Sequence, residues 1–159
     1  MAQPVDQGVS PWLGAGVAVA ASTRPAILDM SRQAEAAVTQ PHDPGAFPTE
    51  WRHAVAARIA AMNAQPEIAA HYLACVSDAG LRGLADPAAP GRDARERIIL
   101  AFMDKVAREP RAVAAEDIEG LKAAGIAEAD IVRLCELNAF MSYQARVLAG
   151  LALLKGASE

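Results

Sequence analysis

Alanine accounts for 38 of the 159 residues, and this abundance constrains the fold more than any other feature of the chain. Alanine is the best helix former, whereas strands favour the β-branched and aromatic residues that are sparse here. Aromatic residues make up only 4% of the sequence, so we expect a core of small side chains between closely packed helices. The sequence therefore predicts an all-α fold, a bundle of about six helices.

Proline and glycine mark the ends of these helices. Residues 1–24 are rich in both and predict an irregular N-terminal arm, and residues 25–155 predict a single all-helical domain, which suits a chain of 159 residues. Gly80 is expected to end the third helix as a C-cap. The predicted helices span 25–38, 50–62, 66–80, 95–108, 115–124 and 128–154, with a proline-rich linker at 40–48.

Charge and cysteine content exclude several classes of protein. The net charge of −4 argues against a nucleic-acid binder, which would carry a basic excess. Cys75 and Cys135 are sixty residues apart, and no CxxC or Cys/His cluster is present, so neither a zinc site nor a dithiol redox motif is expected. No apolar run is long enough to span a membrane. We expect a cytoplasmic protein with reduced cysteines and with no metal, cofactor, nucleic-acid or membrane partner.

The last predicted helix indicates an oligomer. Residues 139–154 are apolar on almost every side, and Arg146 is the only charged residue among them. A helix that is apolar all round is buried all round, which is difficult to achieve in a monomer of this size. We therefore expect a homo-oligomer, with this helix and the alanine-rich second helix near the subunit contact.

Candidate catalytic residues lie on the third helix. Glu67, His71 and Cys75 follow each other at four-residue spacing, which places them on one stripe beside the apolar stripe of the same helix. A carboxylate one turn before an imidazole orients the ring and raises its pKa, so Glu67 and His71 could relay a proton. The alternative is an ordinary solvated Glu–His pair of small energetic effect.

The second helix adds Arg52, His53 and Arg58. If the second and third helices pack as an antiparallel pair, Arg58 reaches the level of Glu67 and His71, and His53 lies further along. An arginine in an apolar stretch either extends its head group to the surface or holds a carboxylate. These three side chains are the candidate substrate-binding residues.

Several segments along the chain share their order and spacing with a known protein family. These segments are 50–52, 58–63, 67–71 with Gly80, 102–108, 117–125 and 130–140. Together they resemble the carboxymuconolactone decarboxylase and alkylhydroperoxidase D-like superfamily over about residues 47–154, and each motif alone is weaker than their combined order and spacing. The resemblance implies an all-helical bundle and a trimeric or hexameric assembly.

The resemblance is closer to the decarboxylase branch than to the peroxidase branch. Met62, Asn63, Glu67 and His71 match the decarboxylase pattern. That match implies cofactor-free acid–base chemistry on a small carboxylated or lactone substrate. His71 would carry the proton, Glu67 would orient it, and Arg58 or Arg52 would hold the substrate carboxylate.

The catalytic cysteines of the peroxidase branch are missing. Counting back from His71, its CxxC positions fall at Ala64 and Glu67, and Cys75 lies one turn beyond His71. A thiol peroxidase is therefore disfavoured. The remaining alternative is a catalytically silent assembly or partner subunit of the superfamily.

Overall fold

The computed structural model of the chain describes residues 25–156, and this part contains seven α-helices, two 3₁₀ turns and no strand. The predicted all-α fold is confirmed, while the predicted arm at residues 1–24 lies outside the described residues. The helices are α1 (Pro25–Thr39), α2 (Thr49–Met62), α3 (Pro66–Ala74), α4 (Ala79–Arg82), α5 (Ala94–Arg108), α6 (Ala115–Ala123) and α7 (Glu128–Gly156), and the 3₁₀ turns are Gly83–Ala85 and Pro110–Ala112.

Helix α2 is the central element of the fold. Every residue from Trp51 to Ala60 is buried, and α2 packs against α1, α3, α5 and α7. Alanine occupies four of the ten positions from 51 to 60, and such short side chains let neighbouring helices approach closely. The chain itself covers the faces of this stretch, and the expectation that α2 lies near a subunit contact stays a prediction.

A tight turn joins α2 to α3 and sets them side by side. Ala64 has a φ of 55°, in the left-handed region. The Ala64 amide donates to the Ala61 carbonyl and the Gln65 amide to the Ala60 carbonyl, which is the hydrogen-bond pattern of a Schellman C-cap. Pro66 then begins α3 at a position where a helix has no use for an amide hydrogen.

The third helix is shorter than predicted. It ends at Ala74, and Gly80 lies inside the separate short helix α4, so the prediction of Gly80 as its C-cap is wrong. The Asp78 carboxylate accepts the amides of Gly80 and Leu81 and thereby caps α4. The Glu50 carboxylate of α2 accepts the amides of Ser77 and Asp78. Side-chain acceptors thus replace the helical carbonyls over this stretch and end α3 early.

Arg52 connects α2 to the linker that precedes it. The side chain is only 2% exposed, and its three guanidinium nitrogens donate to the carbonyls of Val38, Pro44 and Phe47 at 2.8–2.9 Å. These carbonyls belong to the end of α1 and to the chain between α1 and α2. Arg52 therefore fixes the C-terminal end of α1 against α2.

Arg58 connects α2 to the other side of the bundle. Its guanidinium is 3% exposed and makes a two-point contact with the Asp104 carboxylate of α5, at 2.7 Å for both hydrogen bonds. The same group donates to four carbonyl oxygens of the chain between α4 and α5, those of Leu84, Asp86, Pro87 and Ala89. A paired and fully hydrogen-bonded guanidinium can be buried at such a position.

Helix α7 packs on α1, α2, α5 and α6 but leaves apolar side chains on the surface of the single chain. Tyr143 is 42% exposed, Val147 36% and Leu153 76%, and Met30 of α1 is 60% exposed. Among the described residues, no helix is both long enough and apolar enough to cross a membrane. The oligomer predicted from this helix stays a prediction.

Replacing Arg58 by Met should lower the free energy of unfolding by about 3 kcal/mol, because the change leaves Asp104 and four loop carbonyls without their buried donor. Urea denaturation measures the loss. Arg108→Met is the matched control, because it makes the same substitution at an exposed arginine. It should change the free energy of unfolding by less than about 0.5 kcal/mol. A loss below about 1 kcal/mol for Arg58→Met would contradict the structural role given to this arginine.

We propose that the apolar surface of α7 is covered by further copies of the chain, as a trimer or hexamer. Sedimentation at micromolar concentration should then give a multiple of the 16.6 kDa chain mass. Val147→Asp should shift the species toward the monomer, since it would bury a charge in the contact. A wild-type protein that sediments only as a monomer would refute the proposal.

Candidate functional site

A small cavity opens between α1, α2 and α3. Its volume is about 200 Å³. Two of the three histidines of the chain line it, together with a tyrosine, a cysteine and five residues at the C-terminal half of α1 and just beyond. The lining residues are Arg32, Glu35, Ala36, Thr39, Gln40, His53, His71, Tyr72 and Cys75.

His53 forms the buried wall of this pocket. Its side chain is 5% exposed, and its ring stacks on Tyr72 with 6.0 Å between the ring centroids. Burial lowers the pKa of His53, and the charge of His71 lowers it further, while the backbone of Cys75 and the carboxylate of Glu50 act in the opposite direction. The ring is therefore neutral at pH 7, and its Nδ1 atom is buried without a hydrogen-bond partner.

His71 lies on α3 beside Tyr72 and is partly exposed. The His71 ring meets the Tyr72 ring edge to face, with 5.2 Å between their centroids, so the tyrosine ring contacts both imidazoles. Cys75 follows one turn later, with its Sγ 3.6 Å from the His71 carbonyl oxygen. Two imidazoles in different environments thus share one cavity with a thiol.

Tyr72 and Glu35 form a polar pair in the same pocket. The Tyr72 hydroxyl donates to the Glu35 carboxylate at 2.7 Å and accepts from Gln144 Nε2 at 3.2 Å. Burial raises the pKa of the Tyr72 hydroxyl, and the negative charge of Glu35 raises it further. Tyr72 therefore stays protonated and directs its hydrogen at Glu35.

Glu67 does not join the pocket. It is exposed, and among the described residues no hydrogen bond or ion pair connects it to His71. A step of four residues advances about 40° beyond one full helical turn. Residues at this spacing therefore shift gradually around the helix instead of keeping to one face. From Glu67 to His71 to Cys75 the rotation runs toward the buried side that carries Tyr72. The later two residues consequently line the cavity, and the predicted hydrogen bond between Glu67 and His71 does not form.

Arg52 and Arg58 were the expected carboxylate holders, and neither guanidinium lies in this pocket. Both guanidinium groups instead make the hydrogen bonds that attach α2 to its neighbours. A buried arginine must satisfy its hydrogen-bond donors with nearby carbonyls or carboxylates. The structure brings His53 and His71 together, whereas the helix pair was expected to place Arg58 level with His71 and His53 further along. The arginine that lines the cavity is Arg32 of α1, which also pairs with Asp29.

No sequence pattern indicated the α1 side of the pocket. Glu35 contacts Tyr72 across 37 positions, and such a contact depends on how α1 packs on the bundle. Cys75 was part of the spacing pattern with His71, and the rotation of that stripe was the signal that could have placed it here. Among the described residues, no group of three or more His, Cys, Asp or Glu side chains is arranged to hold a metal ion.

No protein-family model matches the sequence, and none of the curated proteins matches it. The fold, however, matches solved structures. One is an uncharacterized peroxidase-related protein from Silicibacter sp. TM1040, with a TM-score of 0.71, 20% identity, and coverage of 86% of this chain and 73% of the other. Another is an uncharacterized peroxidase-related protein from Ralstonia eutropha JMP134, described as an alkylhydroperoxidase AhpD core.

The second match has a TM-score of 0.71, 18% identity, and coverage of 85% of this chain and 73% of the other. This chain has an alkylhydroperoxidase AhpD-like fold. The fold expected from the resemblance is confirmed. At this level of identity the likeness concerns the fold, and the chemistry of the AhpD-like chain has to be argued from its own pocket.

The lowered pKa of His53 predicts a pH-dependent stability. Below about pH 6.5, the ordinary pKa of histidine, the unfolded chain takes up a proton more readily than buried His53 does. The free energy of unfolding should therefore fall as the pH drops from 7 toward 5. His53→Leu should remove this part of the pH dependence, whereas His42→Leu, at an exposed linker position, should retain it. Urea denaturation at pH 7, 6 and 5 measures the difference, and equal slopes for both variants would contradict it.

Proposed function

We propose that the chain performs cofactor-free acid–base chemistry on a small carboxylated or lactone substrate held between α1, α2 and α3. The observation that carries this proposal is the meeting of His53 and His71 in one small cavity. Its volume of about 200 Å³ lies below the range usual for drug-sized ligands, which favours a small organic acid. A cytoplasmic location is part of the proposal, and the free state of Cys75 and Cys135 supports it.

The two imidazoles differ in environment, which favours different roles. His71 is partly exposed and can exchange its proton with water, as a general acid or base must do in each turnover. His53 is buried and neutral, so it is suited to hydrogen bonding rather than to carrying charge. Titratable pairs whose environments separate their protonation states are typical of acid–base sites.

A decarboxylation illustrates the step that such a site would support. The C–C bond to the substrate carboxylate breaks, CO₂ leaves, and the electron pair enters the conjugated unsaturated lactone. The His71 imidazolium donates its proton to the carbon that receives this electron density. His71 then recovers a proton from water, so that one proton is consumed for each CO₂ released. Neither a metal nor an organic cofactor takes part in this scheme.

Arg32 takes over the role that the sequence assigned to Arg58 or Arg52. Arg32 lines the cavity, and its guanidinium pairs with Asp29 on the same helix. Guanidinium groups bind carboxylates through paired, charge-assisted hydrogen bonds. In the proposal, Arg32 orients the carboxylate of the substrate at the α1 side, opposite the two imidazoles of α2 and α3.

A second candidate function is thiol chemistry, because Cys75 lines the same cavity as His71. The peroxidase-related descriptions of the structural neighbours point the same way, although those proteins are themselves uncharacterized. Cys75 and Cys135 are both free, and no CxxC is present in the sequence. A silent assembly subunit remains the third alternative, and it requires that the cavity bind no substrate at all.

The test is a set of small carboxylic acids and carboxylated unsaturated γ-lactones, incubated with the protein and followed by proton NMR and CO₂ release. For any substrate turned over, His71→Gln should lower kcat/KM by roughly 10²–10⁴-fold, because glutamine keeps the polarity and removes the titration. His42→Gln, the same change at an exposed linker histidine, should leave kcat/KM within about twofold of the wild type.

Cys75→Ser separates the two enzymatic readings. Acid–base turnover should survive this change, and consumption of an alkyl hydroperoxide in the presence of a small thiol should be absent from the wild type. Hydroperoxide consumption that disappears in Cys75→Ser would replace the proposal by the thiol alternative. Failure of every acid and lactone to react or bind would favour the silent subunit.

A further inference from the structure

Glu35 is a half-buried carboxylate on the wall of the cavity between α1, α2 and α3. One of its oxygens accepts the Tyr72 hydroxyl at 2.7 Å, and no other group of the described residues bonds to the carboxylate. No arginine, lysine or histidine of that part of the chain forms an ion pair with it. Its one partner is therefore a neutral hydroxyl, which brings no positive charge to compensate the carboxylate.

The other buried or half-buried carboxylates of residues 25–156 have more partners than Glu35. Each of them accepts at least two hydrogen bonds, and all but Glu50 pair with an arginine or a lysine. A carboxylate removed from water is stabilised by such donors and cations. Glu35 thus lacks the charged partner that most carboxylates in similar positions have. These other carboxylates are Glu50, Glu96, Asp104, Asp117 and Asp130.

The second oxygen of Glu35 is accessible to a small molecule. In the part of the chain that the structure describes, the side-chain atoms buried without a hydrogen-bond partner are His53 Nδ1 and Asn138 Oδ1. The unpartnered oxygen of Glu35 is not one of these atoms, so it has accessible surface. An ionised carboxylate can only accept hydrogen bonds. The missing partner is therefore a donor, and the negative charge favours a donor that is itself a cation.

Arg32 lies one turn before Glu35 on α1, and both residues line the cavity. Side chains three residues apart on a helix are neighbours, with about 5–6 Å between their Cβ atoms. Helix α1 thus contributes one cationic and one anionic side chain, next to each other, to the same wall. A small molecule that carries both charges complements this wall, and the cavity volume of about 200 Å³ suits a molecule of that size.

We infer that the ligand of this cavity carries a protonated amine that donates to Glu35, in addition to its acidic group. The ligand class is then a small amino acid, with the carboxylate at Arg32 and the ammonium group at Glu35. This inference rests on the proposed function for the acidic group alone. The ammonium group follows from the surroundings of Glu35 and is independent of any reaction.

The experiment uses two matched sets of small molecules that differ in length by one methylene group. The first set is β-alanine, propanoate, propan-1-amine and 3-hydroxypropanoate, and the second is 4-aminobutanoate, butanoate, butan-1-amine and 4-hydroxybutanoate. Each set contains an amino acid, the acid alone, the amine alone, and a hydroxy acid in which a neutral donor replaces the ammonium group. Binding to the full-length protein at pH 7 is measured by ligand-observed NMR titration. In at least one set, the amino acid should bind about tenfold more tightly than the acid and the hydroxy acid.

Glu35→Gln tests the carboxylate directly. Glutamine keeps the size of the side chain and an oxygen that can accept the Tyr72 hydroxyl, but it removes the charge. The amino acid should then lose its advantage over the acid. Glu67→Gln is the matched control, because it makes the same change at an exposed glutamate outside the cavity, and it should keep the advantage. If Glu35→Gln does not fold, the comparison of the amino acid with the hydroxy acid on the wild type still decides the question.

The outcomes separate this inference from the proposed function. If the amino acid and the acid bind equally in both sets, the ammonium group is overturned and the acid-binding proposal stands. A hydroxy acid that binds as tightly as the amino acid also overturns the ammonium group, because a neutral donor is then sufficient. An amine that binds as tightly as the amino acid, with no binding of the acid, supports the ammonium group and overturns the carboxylate. If no molecule of either set binds, both are overturned.

Discussion

The burial of α2 from Trp51 to Ala60 is the constraint on which the rest of the structure depends. A helix covered on all sides must satisfy whatever polar groups it carries from inside the protein, and α2 carries two arginines and a histidine. Arg52 donates hydrogen bonds to carbonyls at the end of α1 and in the linker that follows it. Arg58 donates to the Asp104 carboxylate of α5 and to carbonyls of the chain between α4 and α5. The two guanidinium groups thus fix α2 to opposite halves of the bundle, and His53 alone is left to the cavity.

The angular position of each residue around α3 decides which of its side chains line the cavity. Glu67, His71 and Cys75 are equally spaced in sequence, yet only the last two line the cavity. The carboxylate of the pocket comes from Glu35 on a different helix; it accepts a hydrogen bond from Tyr72, whose ring contacts both imidazoles. The pocket therefore combines a buried neutral histidine, an accessible histidine and a carboxylate–tyrosine pair.

Composition and local signals were sufficient for the fold, since alanine content, prolines and glycines placed six helices that the described residues contain. The helix predicted over 66–80 was wrong for residues 75–80. There the carboxylates of Glu50 and Asp78 accept the backbone amides in place of helical carbonyls. The short connection between α2 and α3 predicts that the two helices pack side by side, but it pointed to Arg58 rather than His53 at the level of His71. The roles of Arg52 and Arg58 could not be predicted from the sequence. The local sequence around a buried arginine does not show whether its hydrogen-bond partner is a substrate or a loop carbonyl.

The division of the pocket between helices has a consequence for how its specificity can change. His53 stands on α2, inside the part of the bundle where substitutions disturb packing, and His71 stands on α3 and is partly exposed. Arg32, Glu35 and Gln40 stand on or next to α1, whose other side faces solvent. Substitutions on the cavity side of α1 should therefore change the shape and charge of the cavity at a lower cost in stability than substitutions of the buried His53.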